Sequence, residues 1–103
     1  MAKLKLNPEP TFKAKVAVPV PGTAAASVEF TFKWKTRDQV IEWIESVQDK
    51  TDAEIIMDAA VAWELDDEFN AENAARLCNT YCGAGRSFLD AYLGELRGAR
   101  SKN

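Results

Sequence analysis

The sequence predicts an α+β domain, an N-terminal β-hairpin packed on a bundle of about four α-helices, and three observations carry that reading. Phe12, Ala14, Val16 and Val18 alternate with Lys13, Lys15 and Ala17, and apolar and polar residues alternate more cleanly through Ser27–Lys35, the period of a strand with one buried face. Thr36 followed by Gln39, and Thr51 followed by Glu54, are two capping boxes that open helices. From Ala71 onward the apolar residues recur at helical spacing. A chain of 103 residues has the size of one domain and needs neither disulfide nor metal to bury a core. The expected organisation is an extended or flexible arm over residues 1–10, ending in Pro8 and Pro10, and a single domain over residues 11–103.

In order, Phe12, Ala14, Val16 and Val18 form the inward face of the first strand, and Pro19-Val20-Pro21-Gly22 closes it. Val28, Phe30, Phe32 and Trp34 form the inward face of the second, with Glu29, Thr31, Lys33 and Lys35 on its other side. Two strands alone are marginal in water, so the aromatic face must find cover in the helices. The first helix presents Val40, Ile41, Trp43, Ile44 and Val47 on one side and Asp38, Glu42, Glu45 and Asp49 on the other. The acidic side reads either as a solvated face or as a docking surface.

The second helix is expected to run from Thr51 to about Trp63 or Leu65. Ile55, Ile56, Ala59, Ala62 and Trp63 form one side, while Met57, Ala60, Val61 and Leu65 carry apolar surface round to the other. Such a helix is central in a core or contributes to an interface. Asp66-Asp67-Glu68 then precede Asn70, an N-cap for a third helix over Ala71–Tyr81, whose positive end the acids favour. Gly83-Ala84-Gly85 is expected to end that helix, and a fourth, presenting Phe88, Leu89, Tyr92, Leu93 and Leu96, runs to about Gly98. Arg97, Arg100 and Lys102 suit its C-terminal end.

Composition argues against most chemistry. The absence of histidine removes the commonest general base and metal ligand and every Ser-His or Cys-His pair. Cys78 and Cys82, read as neighbours on one helix, are badly placed for a disulfide and too few for zinc, so they read as small apolar residues in a reducing compartment. The acidic turn lacks the spacing of a calcium loop, and Gly-Ala-Gly-Arg lacks that of a phosphate loop. The carboxylates lie on helix surfaces, not across a cleft. The expectation is therefore a non-enzymatic protein with no cofactor and no metal. Met1-Ala2-Lys3-Leu4-Lys5-Leu6 is not followed by an apolar run, and no window approaches a membrane span, so a soluble intracellular protein is expected.

Net charge is only -3 but is partitioned. Residues 1–35 carry six lysines against two acids, residues 36–75 carry two basic residues against twelve acids, and the remainder carries five basic residues against two acids. The middle block repels polyanions and can steer a basic partner. Lysines and aromatics lie on opposite hairpin faces, unlike a stacking platform for nucleic acid, so no nucleic-acid partner is expected. The candidate interaction residues are Met57, Ala60, Val61 and Leu65 on the second helix and Asp38, Glu42 and Glu45 on the first.

The run Trp63-Glu64-Leu65-Asp66-Asp67-Glu68-Phe69-Asn70, then Glu72-Asn73, Leu77, Tyr81, Gly83-Ala84, Phe88-Leu89, Ala91-Tyr92 and Ala99-Arg100-Ser101-Lys102-Asn103, resembles tail assembly chaperones of long-tailed bacteriophages over residues 28–103. The resemblance implies a protein that coats the long, helical tape measure protein in the host cytoplasm, helps recruit tail tube subunits, self-associates, and is absent from the finished virion. In such families a longer form is often made by frameshifting near the end of the short reading frame, and Lys102-Asn103 is the place to look for a slippery site in the nucleotide sequence. The competing reading is a small acidic regulatory or inhibitory adaptor that binds one protein.

Overall fold

The computed structural model describes residues 6 and 8–98. Among them the chain runs β1 (Thr11–Val18), β2 (Ala26–Lys33), α1 (Arg37–Val47), α2 (Asp52–Ala59), β3 (Ala60–Trp63), α3 (Ala71–Thr80) and α4 (Ala84–Arg97). The strands form one antiparallel sheet in the order β1-β2-β3, so the α+β class is as expected. Most of the arm expected over residues 1–10 lies outside the described residues, as do Arg100 and Lys102.

The hairpin pairs in the register Phe12↔Phe32, Ala14↔Phe30 and Val16↔Val28. Its turn is set by Pro21 and Gly22: Gly22 has φ +83°, and the Thr23 amide donates to the Val20 carbonyl at 3.1 Å. A proline followed by a residue at positive φ is the type II pattern, which favours glycine at the third position. Val16, Val18, Val28, Phe30 and Phe32 are buried, while Lys13, Lys15, Ala17 and Ser27 are exposed on the opposite face. Alternation thus settled the inside of the hairpin, with one correction. Trp34, expected on the buried face, lies past the end of β2 and is 46 % exposed, resting edge-on against Phe12 at 5.6 Å.

Both capping boxes form. Thr36 accepts from the Gln39 amide while the Gln39 side chain accepts from the Thr36 amide, and Thr51 and Glu54 repeat the exchange. Each motif satisfies two helix-end donors that would otherwise lack partners.

The second helix is shorter than the sequence suggests. It stops at Ala59, and Ala60–Trp63 is a strand on the free edge of β2, with Phe30↔Trp63, Thr31↔Ala62 and Phe32↔Ala60 as partners. The register shift makes Val61 the extra residue of a bulge. Pairing continues past the strand: the Glu64 amide donates to the Glu29 carbonyl at 3.0 Å, and the Glu29 amide donates to the Glu64 carboxylate at 2.9 Å. A four-residue apolar run fits helix or strand by periodicity alone. The unpaired edge of β2 decides the matter, because its backbone groups need partners.

Asn70 caps α3 by accepting from the Asn73 amide at 2.8 Å. That helix ends at Thr80 because Tyr81 turns extended, so Cys82 lies beyond it and is exposed, correcting the expected packed helical pair. Cys78 is half-buried, and burial, reinforced by the Asp52 charge, pushes its thiol up to about 11. It packs against the core.

The glycine turn also differs from expectation. Gly83 has φ -88°, not the left-handed conformation of a helix C-cap, and α4 already begins at Ala84. Gly85 therefore sits in the first turn of α4, where a Cβ would lie 2.4 Å from the Asp52 Cγ and 2.9 Å from its Cβ. Glycine allows α4 to approach the start of α2. Alanine is the better helix former by about 1 kcal/mol, yet Gly85→Ala is expected to destabilise the fold by about 1–3 kcal/mol through this clash. Urea denaturation checks the sign, and adding Asp52→Ala should recover part of the loss.

Ile55, Ile56 and Ala59 of α2, Ala74 of α3, and Ala84, Phe88 and Tyr92 of α4 close the core beneath the sheet. Phe88 meets Phe30 edge-on at 5.0 Å, and Tyr92 stacks on Phe32 at 5.0 Å with rings 14° apart. Such ring pairs add about 0.5–1.5 kcal/mol each beyond the area they bury.

Candidate partner-docking surface

β3 redistributes the residues expected to touch a partner. Ala60 is 2 % exposed, paired with Phe32 on the inner face of the sheet. Met57 is half-buried against the core. Val61, at the bulge, is 47 % exposed on the sheet edge, and Leu65 is half-buried just beyond the strand. These four do not form one helical face.

Leu65 instead lines an open groove of about 350 Å³. One wall is the closed end of the hairpin, Val18, Val20, Ala26 and Val28; another is Trp63 and Leu65; the third is Leu77 of α3 with Tyr81 just after it. Asp67, Asn73, Arg76 and Thr80 supply its polar positions. The rim is tied together. Trp63 Nε1 donates to the Asp67 carbonyl at 2.7 Å, Asn73 Nδ2 donates to the Glu68 carbonyl at 2.7 Å, and Arg76 Nη1 donates to Asn73 Oδ1 at 3.3 Å. Phe69 packs edge-on against Trp63 at 5.1 Å, which fixes the acidic turn beside the groove. An apolar floor with a few fixed polar groups suits recognition of an amphipathic segment.

Sequence reasoning did not bring these walls together. Leu77 and Tyr81 fell within the expected third helix, and Val18 and Val28 on the hairpin, but only the third strand sets Trp63 opposite Phe30 and beside these walls. The available signal was Val61 and Trp63, residues suited to strands, directly before the acidic turn.

Asp38, Glu42 and Glu45 are all exposed on α1, as is Asp49 just after it. Ile41, expected on the buried side, is 52 % exposed along the flank of this stripe, because Val40 and Trp43 take the core-facing positions. Trp43 anchors the helix. It meets Tyr92 edge-on at 5.5 Å, donates Nε1 to Asp58 Oδ2 at 3.2 Å, and lies under the Lys35 ammonium at 5.4 Å.

Lys50 also bonds Asp58. Burial alone would raise the Asp58 carboxyl, but the hydrogen bonds from Lys50 and Trp43 and the nearby lysine charges outweigh it and hold the group below its ordinary value of 3.8. A depressed carboxyl stabilises the fold above that value, and the contribution is lost as pH falls through and below it. Asp58→Asn is therefore expected to be less stable than the parent at neutral pH, with the two stability curves converging as pH falls below 3.8. Thermal melts across that range check the convergence.

Among the described residues no group of three or more acids or cysteines is placed to hold a metal, and no helix is long and apolar enough to cross a membrane.

A family model described as phage tail assembly chaperone matches residues 1–103. The chain belongs to that family. No curated protein and no solved structure matches it.

Proposed function

We propose that the protein binds the tape measure protein during phage tail assembly, keeps it soluble in the host cytoplasm, helps recruit tail tube subunits and is absent from the mature virion. It acts without catalysis or a cofactor, and several copies act along one long partner. Family membership supports this reading, and the groove between the hairpin end, Trp63 and α3 is the observation that carries it. An amphipathic helix of the tape measure protein would set its apolar side chains among Val28, Trp63, Leu65, Leu77 and Tyr81, as in helix-in-groove recognition. Val61 on the sheet edge and Asp38, Glu42 and Glu45 on α1 are secondary contacts in this proposal, the acids setting register or suppressing wrong pairings. Ala60 and Met57 serve the core.

Co-expression with a tape measure protein tests the reading. The parent chain is expected to keep that partner soluble. Leu65→Asp should reduce the soluble fraction about tenfold, the effect of losing roughly 1.4 kcal/mol of binding, while Val61→Asp should have a smaller effect. Undiminished rescue by Leu65→Asp would remove the groove from the proposal, and failure of the parent chain to rescue would remove the function.

A further inference from the structure

A second cleft, of about 310 Å³, opens between the start of α1 and the end of α4, lined by Lys35, Arg37, Val40, Ile41, Leu96 and Arg97. Three cations surround three apolar side chains, and no carboxylate is in the lining. Among the described residues no ion pair joins a carboxylate to Arg37 or Arg97. Ile41 is exposed here beside half-buried Leu96 and buried Val40. Lys35 also borders a shallow hollow with Lys33, Trp34, Gln39, Glu42 and Trp43. Positive charge is crowded at this end of the molecule. Burial first, then the charge of Lys33, with Lys50 adding, holds the Lys35 ammonium below its ordinary value of 10.5, against the pull of Asp58. Asp58 is already bonded by Lys50 and Trp43. A carboxylate arriving between Lys35 and the two arginines would relieve that crowding.

We propose that this cleft docks an acidic peptide segment of another protein, one in which carboxylates flank an apolar side chain. The apolar side chain lies against Ile41 and Leu96, and the carboxylates meet Arg37, Arg97 and Lys35. Arginine suits the task, since its planar fork takes a carboxylate through two parallel hydrogen bonds. A nucleic acid fits the same cations less well. Asp38, Glu42 and Glu45 are exposed on the same helix outside the lining, where a continuing line of phosphates would be repelled. The cleft and the groove lie at opposite ends of β2: Ala26 and Val28 line the groove, whereas Lys33 ends the strand and Lys35 follows it. At about 3.3 Å per residue the two sites are roughly 20 Å apart. One chain can therefore hold an amphipathic helix at one end and an acidic segment at the other. The cleft does not depend on the tape measure contact, and its failure would leave that contact untouched.

Fluorescence anisotropy on the full chain tests this with a labelled, end-blocked peptide, Glu-Glu-Leu-Glu-Glu, at physiological salt, where screening acts within about 8 Å. The parent is expected to bind it saturably. Arg37→Glu/Arg97→Glu should weaken binding about tenfold or more, and Ile41→Ser about fivefold. Lys15→Glu/Arg86→Glu makes the same change of net charge at exposed positions outside the cleft, and should stay within about twofold of the parent. Leu65→Asp, at the far groove, should bind as the parent does. Circular dichroism confirms that each variant is folded. No binding by the parent, equal losses in the two charge-reversed variants, undiminished binding by Ile41→Ser, or loss in folded Leu65→Asp would each overturn the proposal. So would tighter binding of a single-stranded oligonucleotide of equal charge. A binding curve that turns down as the protein is concentrated would give the cleft to a second copy, and would overturn it too.

Discussion

Tyr92→Ala is expected to cost about 3–5 kcal/mol, a large part of the roughly 5–15 kcal/mol that holds a domain of this size together. Tyr92 is 0 % exposed and joins the two layers of the fold. Its ring stacks on Phe32 and lies within 6.2 Å of Phe12, both from the sheet, and meets Trp43 of α1 edge-on. Its hydroxyl donates to the Lys33 carbonyl at 2.6 Å, and burial pushes the group's pKa up. Tyr92→Phe keeps the rings and removes only that bond, so about 1–2 kcal/mol should be lost. Chemical denaturation of both variants measures the two contributions. If Tyr92→Phe proved as damaging as Tyr92→Ala, the hydrogen bond and not the ring packing would hold the layers together.

Trp43→Ala should be comparably costly, about 3–5 kcal/mol, but with a different signature. Trp43 is the main attachment of α1: it reaches Tyr92, Asp58 and Lys35, while Val40 is the other buried residue of that helix. Without the indole, α1 should open locally before the rest unfolds. Hydrogen exchange is the decisive measurement. Amides of residues 37–47 are expected to lose protection ahead of those in β2 and α4. Uniform loss across the domain would show that α1 is no separate unit. Trp43→Phe should lie between the two, retaining burial but not the bond to Asp58.

These contacts also show how much was legible in the sequence. The hairpin faces were readable because period-two alternation has only one burial solution. The caps at Thr36, Thr51 and Asn70 were readable because each needs only residues three apart. β3 was not, since Ala60–Trp63 becomes a strand through its partner, β2, and no local pattern names that partner. Gly85 was misread for the same reason: its role is set by Asp52, thirty-three positions earlier in the chain. The candidate surface divided along this line. The acidic residues of α1 fell where the helical period put them, whereas the apolar group of Met57, Ala60, Val61 and Leu65 dispersed once the helix they were assigned to stopped at Ala59.

The direct passage from α2 into β3 has a consequence for synthesis. The hairpin leaves the ribosome before the helices, and its pairs are local. The second edge of β2 stays bare until Trp63 follows, and the aromatic face waits for Phe88 and Tyr92. Contacts of such long separation form late, and an uncovered edge beside exposed phenylalanines is prone to mispairing. A protein of a family that assists the assembly of others thus passes through an interval in which it is itself the vulnerable chain.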